Sequence, residues 1–176
     1  MSIVYLLSGS NLGKRWENLY NAEKEIRKLE VELISLSPVF ESPAWGFEHP
    51  EAFLNQAIEL RTSLKPKVLL ESLLNIENIL GRTRNNNGYE ARVIDIDILF
   101  YDDLIINESD LIIPHPRLHL RRFALLPMSK LNAALVHPLY NKTISDLMYA
   151  CEDKSIVNEY PEEILIDRKG GKANAV

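Results

Sequence analysis

The sharpest chemical signal in the chain is Arg92-Val93-Ile94-Asp95-Ile96-Asp97-Ile98-Leu99-Phe100. Successive side chains of a strand alternate between its faces. Ile94, Ile96, Ile98 and Phe100 then form one apolar face that must be buried, and Val93, Asp95, Asp97 and Leu99 share the other. Two strand steps place the carboxylates' Cα atoms ~6.6 Å apart. At that spacing the side chains can converge on a cation, and they repel each other without one. A hard divalent ion such as Mg²⁺ is commonly held by one or two carboxylates together with substrate phosphates. A solvated strand face is the other reading. Aspartate is disfavoured in strands, which weighs against that reading, but spacing alone leaves both open.

The second cluster is cationic. Arg82 and Arg84 follow Gly81, Arg92 opens the aspartate strand, and His115, Arg117, Arg121 and Arg122 follow Pro114. Grouped around a carboxylate pair, such charge suits a metal-bound polyphosphate; taken singly, each arginine also suits ordinary solvated surface. His115 lies between two prolines and outside any regular helix, as a loop ligand or a structural cap. Asn85–Ala91 contains the Asn-Gly turn signal and Tyr89, the composition of a mobile lid or of a plain surface loop. Gly9-Ser10-Asn11-Leu12-Gly13-Lys14 is not a Walker phosphate loop, because three residues separate the glycines and Arg15, not Ser or Thr, follows the lysine.

These residues need elements to hold them. Ile3–Leu7 reads as a buried strand closed by a Ser-Gly-Ser-Asn turn. Trp16, Leu19, Ala22, Ile26 and Leu29 recur at helical spacing. Val31–Phe40 is rich in strand formers and breaks at Pro43. Ser42–Glu51, with two prolines and a glycine, reads as a loop of high aromatic content, and Phe53–Leu60 returns to a strand. Pro66 opens a helix whose stripe is Leu69, Leu73, Ile76 and Leu80, and Gly81 ends it. Val93–Tyr101 is the clearest strand. Leu118–Leu131 predicts a helix interrupted by Pro127, and Thr143 with Asp146 opens the last helix as a capping box. Strands follow one another closely rather than alternating with helices, which favours an α+β sandwich with a largely antiparallel sheet over a doubly wound parallel one.

The chain has 176 residues, 46% hydrophobic and 26% charged. These are ordinary values for one globular domain and exclude a disordered chain. Residues 1–166 are expected to form that domain, and 167–176 a polar frayed tail. The single cysteine, Cys151, excludes an internal disulfide and a cysteine-based metal cluster. No apolar run approaches the ~18 residues of a spanning helix, and Ile3–Leu7 lacks the flanks of a signal peptide. A net charge of −5 argues against a general nucleic-acid binder. A cytoplasmic domain without membrane or nucleic-acid partners is expected.

Seven pieces occur in a telling order: Gly9-Ser10-Asn11-Leu12-Gly13; Ser42-Pro43-Ala44-Trp45-Gly46; Phe53-Leu54-Asn55; Ile76-Glu77 with Leu80-Gly81-Arg82-Thr83-Arg84; Arg92 with Asp95-Ile96-Asp97-Ile98-Leu99; Pro114-His115-Pro116-Arg117; and Arg121-Arg122-Phe123. Together they resemble the 6-hydroxymethyl-7,8-dihydropterin pyrophosphokinases of folate synthesis. The resemblance implies a ferredoxin-like α+β sandwich and transfer of pyrophosphate from ATP to the pterin hydroxymethyl, releasing AMP. It implies two Mg²⁺ ions on Asp95 and Asp97, and catalytic Arg82 and Arg92. It places Arg84, His115 and Arg121 on the triphosphate and Glu77 on the nucleotide side. Phe123 matches an aromatic stacked on the pterin, with Phe53, Asn55, Ser42, Pro43, Trp45 and Tyr89 completing the substrate pocket. It also implies a monomer. Tyr89, Ala91 and Ala44 depart from the commonest pattern, in loops and not at the aspartates.

Overall fold

A computed structural model describes residues 1–82 and 91–161. The expected Asn85–Ala91 lid, apart from Ala91, and the 167–176 tail lie outside the described residues, as do Arg84 and Tyr89.

The first strand, β1 (Ser2–Ser10), is buried from Val4 onward, as a central strand covered on both faces must be. A turn through Gly13, at φ +63°, leads into α1 (Arg15–Ile26), whose Trp16, Leu19, Ala22 and Ile26 face inward. The strand-forming run after it divides into β2 (Val31–Leu36) and β3 (Phe40–Ser42). The break comes at Ser37-Pro38 and not at Pro43: Pro38 has no N–H for a ladder, and Ser37 exchanges bonds with Ala57 and Gln56 there. β4 (Phe53–Thr62) is followed by α2 (Pro66–Ile79), with Pro66 in the first turn and Leu69, Leu73 and Ile76 buried. Gly81, at φ +90°, turns the chain after it, a conformation glycine adopts without strain.

β5 (Asp95–Tyr101) runs beside β1. Two short hairpins, β6 (Ile106–Asn107) with β7 (Ile112–Ile113) and β8 (Val136–His137) with β9 (Lys142–Thr143), flank a 3-10 turn (Leu118–Leu120) and α3 (Arg122–Asn132). α3 continues through Pro127; the interruption falls at Arg121, which is extended. The predicted capping box opens α4 (Ile144–Ala150), and β10 (Asn158–Glu159) pairs with β3. The main sheet is antiparallel, in the order β10-β3-β4-β1-β5 with β2 also on β4. This is the expected α+β sandwich. One core lies beneath α1 and α2, with Val4, Leu6, Ile58 and Ile96. The other lies against α3 and α4, with Tyr5, Leu7, Ala57 and Leu125.

β5 does not alternate as a simple strand. Its register against β1 shifts between Tyr5 and Leu6, so that Phe100 faces Tyr5, Ile98 faces Leu6, and Leu99 is left over as a bulge. Ile94, Ile96 and Ile98 pack into the α1–α2 core as expected. Phe100 crosses to the opposite core and joins Leu99 there. The Leu99 carbonyl accepts from the His115 backbone N–H at 3.0 Å.

Candidate active site

Register decides which side chains share the site. Leu7 pairs with Asp97 on β5 and Ala57 on β4, and Gly9 pairs with Asp95 and Asn55. Because Leu7 and Ala57 belong to the α3-side core, Asp95, Asp97, Asn55 and Phe53 emerge on that same face. Ser42, opposite Phe53 on β3, receives a 3.0 Å hydrogen bond from Asn55 Nδ2. Gly9 is the gap in this row: a Cβ there would come within 3.0 Å of Asn55 Oδ1. A cleft of about 620 Å³ opens over the row and is lined by Ser42, Pro43, Trp45, Phe53, Asn55, Glu77, Arg82, Arg92, Asp95, Asp97, His115, Arg121 and Phe123. Every described residue among the expected site residues therefore lines one cavity.

The two aspartates have different surroundings. Asp95 is gripped from two sides, by Arg82 Nη1 on Oδ1 and Arg92 Nη1 on Oδ2, each at 2.5 Å. Burial pushes its pKa up, but the two guanidinium groups outweigh burial and the carboxyl lies below its ordinary value. Asp97 is pushed up to about 7, first by burial and then by the charge of Asp95, although Arg121 and Arg92 pull the other way. His115 Nε2 lies 3.8 Å from Asp97 Oδ2. Burial, then Arg121 and Arg117, lower the imidazole to about 4, so at neutral pH it is uncharged and offers hydrogen bonding rather than charge.

Glu77 is buried at the end of α2, where its Oε1 accepts from the Ile96 N–H at 2.7 Å and from Arg82 at 2.6 Å. It ties α2 to β5 and aims Arg82 at Asp95. The Arg121 guanidinium lies over Trp45 at 4.8 Å and Phe123 at 5.5 Å. It therefore sits among the aromatics as well as beside Asp97.

Sequence reasoning missed three sets of residues. Asn11 is fully buried and holds Arg92 in both directions: its N–H donates to the Arg92 carbonyl at 3.1 Å, and its Oδ1 accepts from the Arg92 N–H at 2.7 Å. Its place in a rejected phosphate motif concealed that role. Phe47 joins the aromatic end of the cleft, edge-on to Phe53 at 6.2 Å. The cleft is also lined by Leu70 and Leu74 with Ser109, Asp110, Leu111 and Ile112. Leu70 and Leu74 form a second i, i+4 pair on α2 that the core stripe leaves over, and that surplus was the available signal.

A family model described as 7,8-dihydro-6-hydroxymethylpterin-pyrophosphokinase matches residues 5–133. The 2-amino-4-hydroxy-6-hydroxymethyldihydropteridine pyrophosphokinase of Aquifex aeolicus is 39% identical over 148 residues, covering 83% of this chain and 90% of that protein. The protein of the same name from Porphyromonas gingivalis is 42% identical over 142 residues, covering 78% and 95%. The Dictyostelium discoideum protein named folic acid synthesis protein FOL1 is 41% identical over 143 residues, and the chain spans only 21% of its length. A crystal structure titled Plasmodium falciparum HPPK-DHPS wild type superimposes with a TM-score of 0.68 at 15% identity, over 85% of this chain and 44% of that one. At that identity the likeness concerns the fold. Among the described residues, no helix is long and apolar enough to cross a membrane. The sequence matches run through both the aspartate strand and the aromatic end of the cleft, and the chain belongs to the 7,8-dihydro-6-hydroxymethylpterin-pyrophosphokinase (HPPK) family.

Proposed function

We propose that the chain transfers the pyrophosphoryl group of ATP to the hydroxymethyl of 6-hydroxymethyl-7,8-dihydropterin, releasing AMP. One observation carries this reading. A single cleft joins a carboxylate and guanidinium end (Asp95, Asp97, Arg82, Arg92) to an end built from flat apolar rings and fixed amide and hydroxyl groups (Trp45, Phe53, Phe123, Asn55, Ser42). The first suits a metal-bound polyphosphate, and the second a flat, neutral heterocycle.

The residues fit Mg²⁺. Asp95 and Asp97 supply hard oxygen ligands, and Asp97, whose side chain is 35% exposed to the cleft, lacks the close guanidinium pair that Asp95 has. Among the described residues no three metal-ligating side chains gather, so such an ion would take its remaining ligands from phosphate oxygens and water. When bound, the metal shields the phosphate charges and makes the attacking hydroxyl more acidic.

The chain's own groups do the rest. Attack by the hydroxymethyl oxygen on the β-phosphorus breaks the α–β bridging P–O bond and leaves AMP. That step demands positioning and charge compensation more than covalent chemistry. Arg82 and Arg92, fixed by Glu77 and Asn11, present their remaining N–H groups to the phosphates, with Arg121 beside them. Neutral His115 donates or accepts at the phosphate edge. Phe123 and Phe53 stack on the pterin, and the Ser42–Asn55 pair reads its hydrogen-bonding edge. The resemblance assigns Arg84 to the triphosphate and Tyr89 to the substrate, and both lie outside the described residues.

Incubation with ATP, Mg²⁺ and the pterin tests the proposal by the nucleotide released. AMP appearing only with the pterin present is the expected result. ADP would point to a monophosphoryl transfer on the same metal and arginine site, and absence of turnover to a binding module.

A further inference from the structure

The turn after β1 is not a Walker loop, yet it leads into Arg15, the first residue of α1, which reaches the base of the loop at 43–52. Arg15 Nη1 donates to Glu41 Oε1 at 2.8 Å and to the Ala52 carbonyl at 2.7 Å. Those acceptors lie at opposite ends of that loop. Glu41 immediately precedes Ser42, Ala52 immediately precedes Phe53, and Ser42 and Phe53 face each other across β3 and β4. One guanidinium nitrogen thus straddles both entrances of the loop that carries Trp45 and Phe47. The turn is itself fixed: Asn18 Nδ2 donates to Ser10 Oγ at 3.0 Å and to the Leu12 carbonyl at 2.9 Å. Arg15 lies outside the cleft lining, and its side chain is 23% exposed against 40% for Glu41, so salt screens the pair in part.

We infer that Arg15 is a positioning residue for the pterin half of the site, acting through the two ends of the 43–52 loop without touching substrate. A loop held shut at its base spends less binding energy on ordering when the ring enters. The inference rests on the proposed pterin reaction only for its kinetic consequence; the clamp is a property of the free protein.

Arg15→Met keeps the aliphatic stem and removes both bonds, and Arg15→Lys restores a donor that reaches the same acceptors. In substrate-free protein, chymotrypsin cleavage after Trp45 and Phe47, followed by mass spectrometry, should speed up about fivefold in Arg15→Met, the scale for one partly exposed charge-assisted contact. In the AMP-release assay the same variant should raise the pterin KM about fivefold, with the ATP KM at its wild-type value and Tm lower by only about 2–4 °C, and Arg15→Lys should return both readouts most of the way. Glu41→Gln should move them in the same direction from the other side, and Lys14→Ala should move neither. Unchanged cleavage and pterin KM in Arg15→Met would overturn the inference. So would a joint shift of Tm and both KM values, which marks a general structural role. A wild-type protein that releases no AMP overturns the activity reading instead, and loop cleavage alone then decides the clamp.

Discussion

Asp95 and Asp97 are chemically identical and two residues apart, yet their environments give them opposite tendencies. The guanidinium groups of Arg82 and Arg92 keep Asp95 ionised, whereas burial and the charge of Asp95 leave Asp97 reluctant to ionise without a cation. Removing the Asp97 carboxylate therefore separates function from stability. Asp97→Ala should lower turnover by about 10²–10³, the scale for one lost transition-state contact, while its Tm equals or exceeds that of the wild type. Steady-state AMP release together with thermal unfolding checks both halves, and normal activity would remove the metal assignment. At the other end of the cleft, Phe123→Ala removes a ring that the Arg121 guanidinium overlies at 5.5 Å. It should raise the pterin KM about tenfold, from lost stacking and burial, and leave the ATP KM nearly unchanged. Equal effects on both would end the stacking role.

The elements translate these residue properties into a site through register, and β1 is where register matters most. Gly9 sits between Asp95 on one neighbour and Asn55 on the other. Gly9→Ala drives a Cβ to 3.0 Å from Asn55 Oδ1, so the Asn55–Ser42 pair must shift. The pterin KM should rise about tenfold, since misplacement of a positioning group by a fraction of an ångström is costly. An unchanged pterin KM would show that Asn55 does not orient substrate. Strands and helices with strong periodicity were legible from the residues, because burying a stripe of Leu69, Leu73 and Ile76, or the run Ile94, Ile96 and Ile98, leaves little choice. What escaped was set by partners remote in sequence. The bulge at Leu99 moves Phe100 between cores and frees the carbonyl that holds His115, and local alternation carries no trace of it. Pro127 read as a helix break, but α3 tolerates it, buried among core side chains, while the extended residue is Arg121. The site's side chains were recognisable by type and order. Asn11 and Arg15 were not, because their work is to hold backbone that belongs to other elements.

The whole molecule carries net negative charge, buries the His137 imidazole and encloses most of that of His115, a combination with a consequence for acid stability. His137, 2% exposed and edge-on to Phe100, is lowered to about 4, mainly by burial, with the charge of His119 second. An unfolded histidine titrates near 6.5. Above that pH both states leave the ring neutral, and the packing of His137 contributes in full. As pH falls from about 6.5 toward 4, the unfolded chain takes up a proton that the folded protein refuses, so stability is lost across that window. For a depression of this size the loss is about 3 kcal/mol by pH 4. His115 adds to the loss with the same sign. Asp97 opposes it, because a carboxyl raised to about 7 binds its proton more tightly in the fold than in the unfolded chain. The His137 contribution can be isolated by substitution. His137→Asn keeps an acceptor for the Leu139 N–H, which reaches Nδ1 at 3.3 Å, and cannot be protonated. Urea unfolding across pH 7.5 to 4 should give a shallower decline in the variant than in the wild type, by about 3 kcal/mol over the range, whatever offset the substitution introduces at neutral pH. Parallel curves would mean that His137 accepts its proton inside the fold, and that the loss on acidification belongs to other shifted groups, His115, Asp95, Asp146 and Asp153.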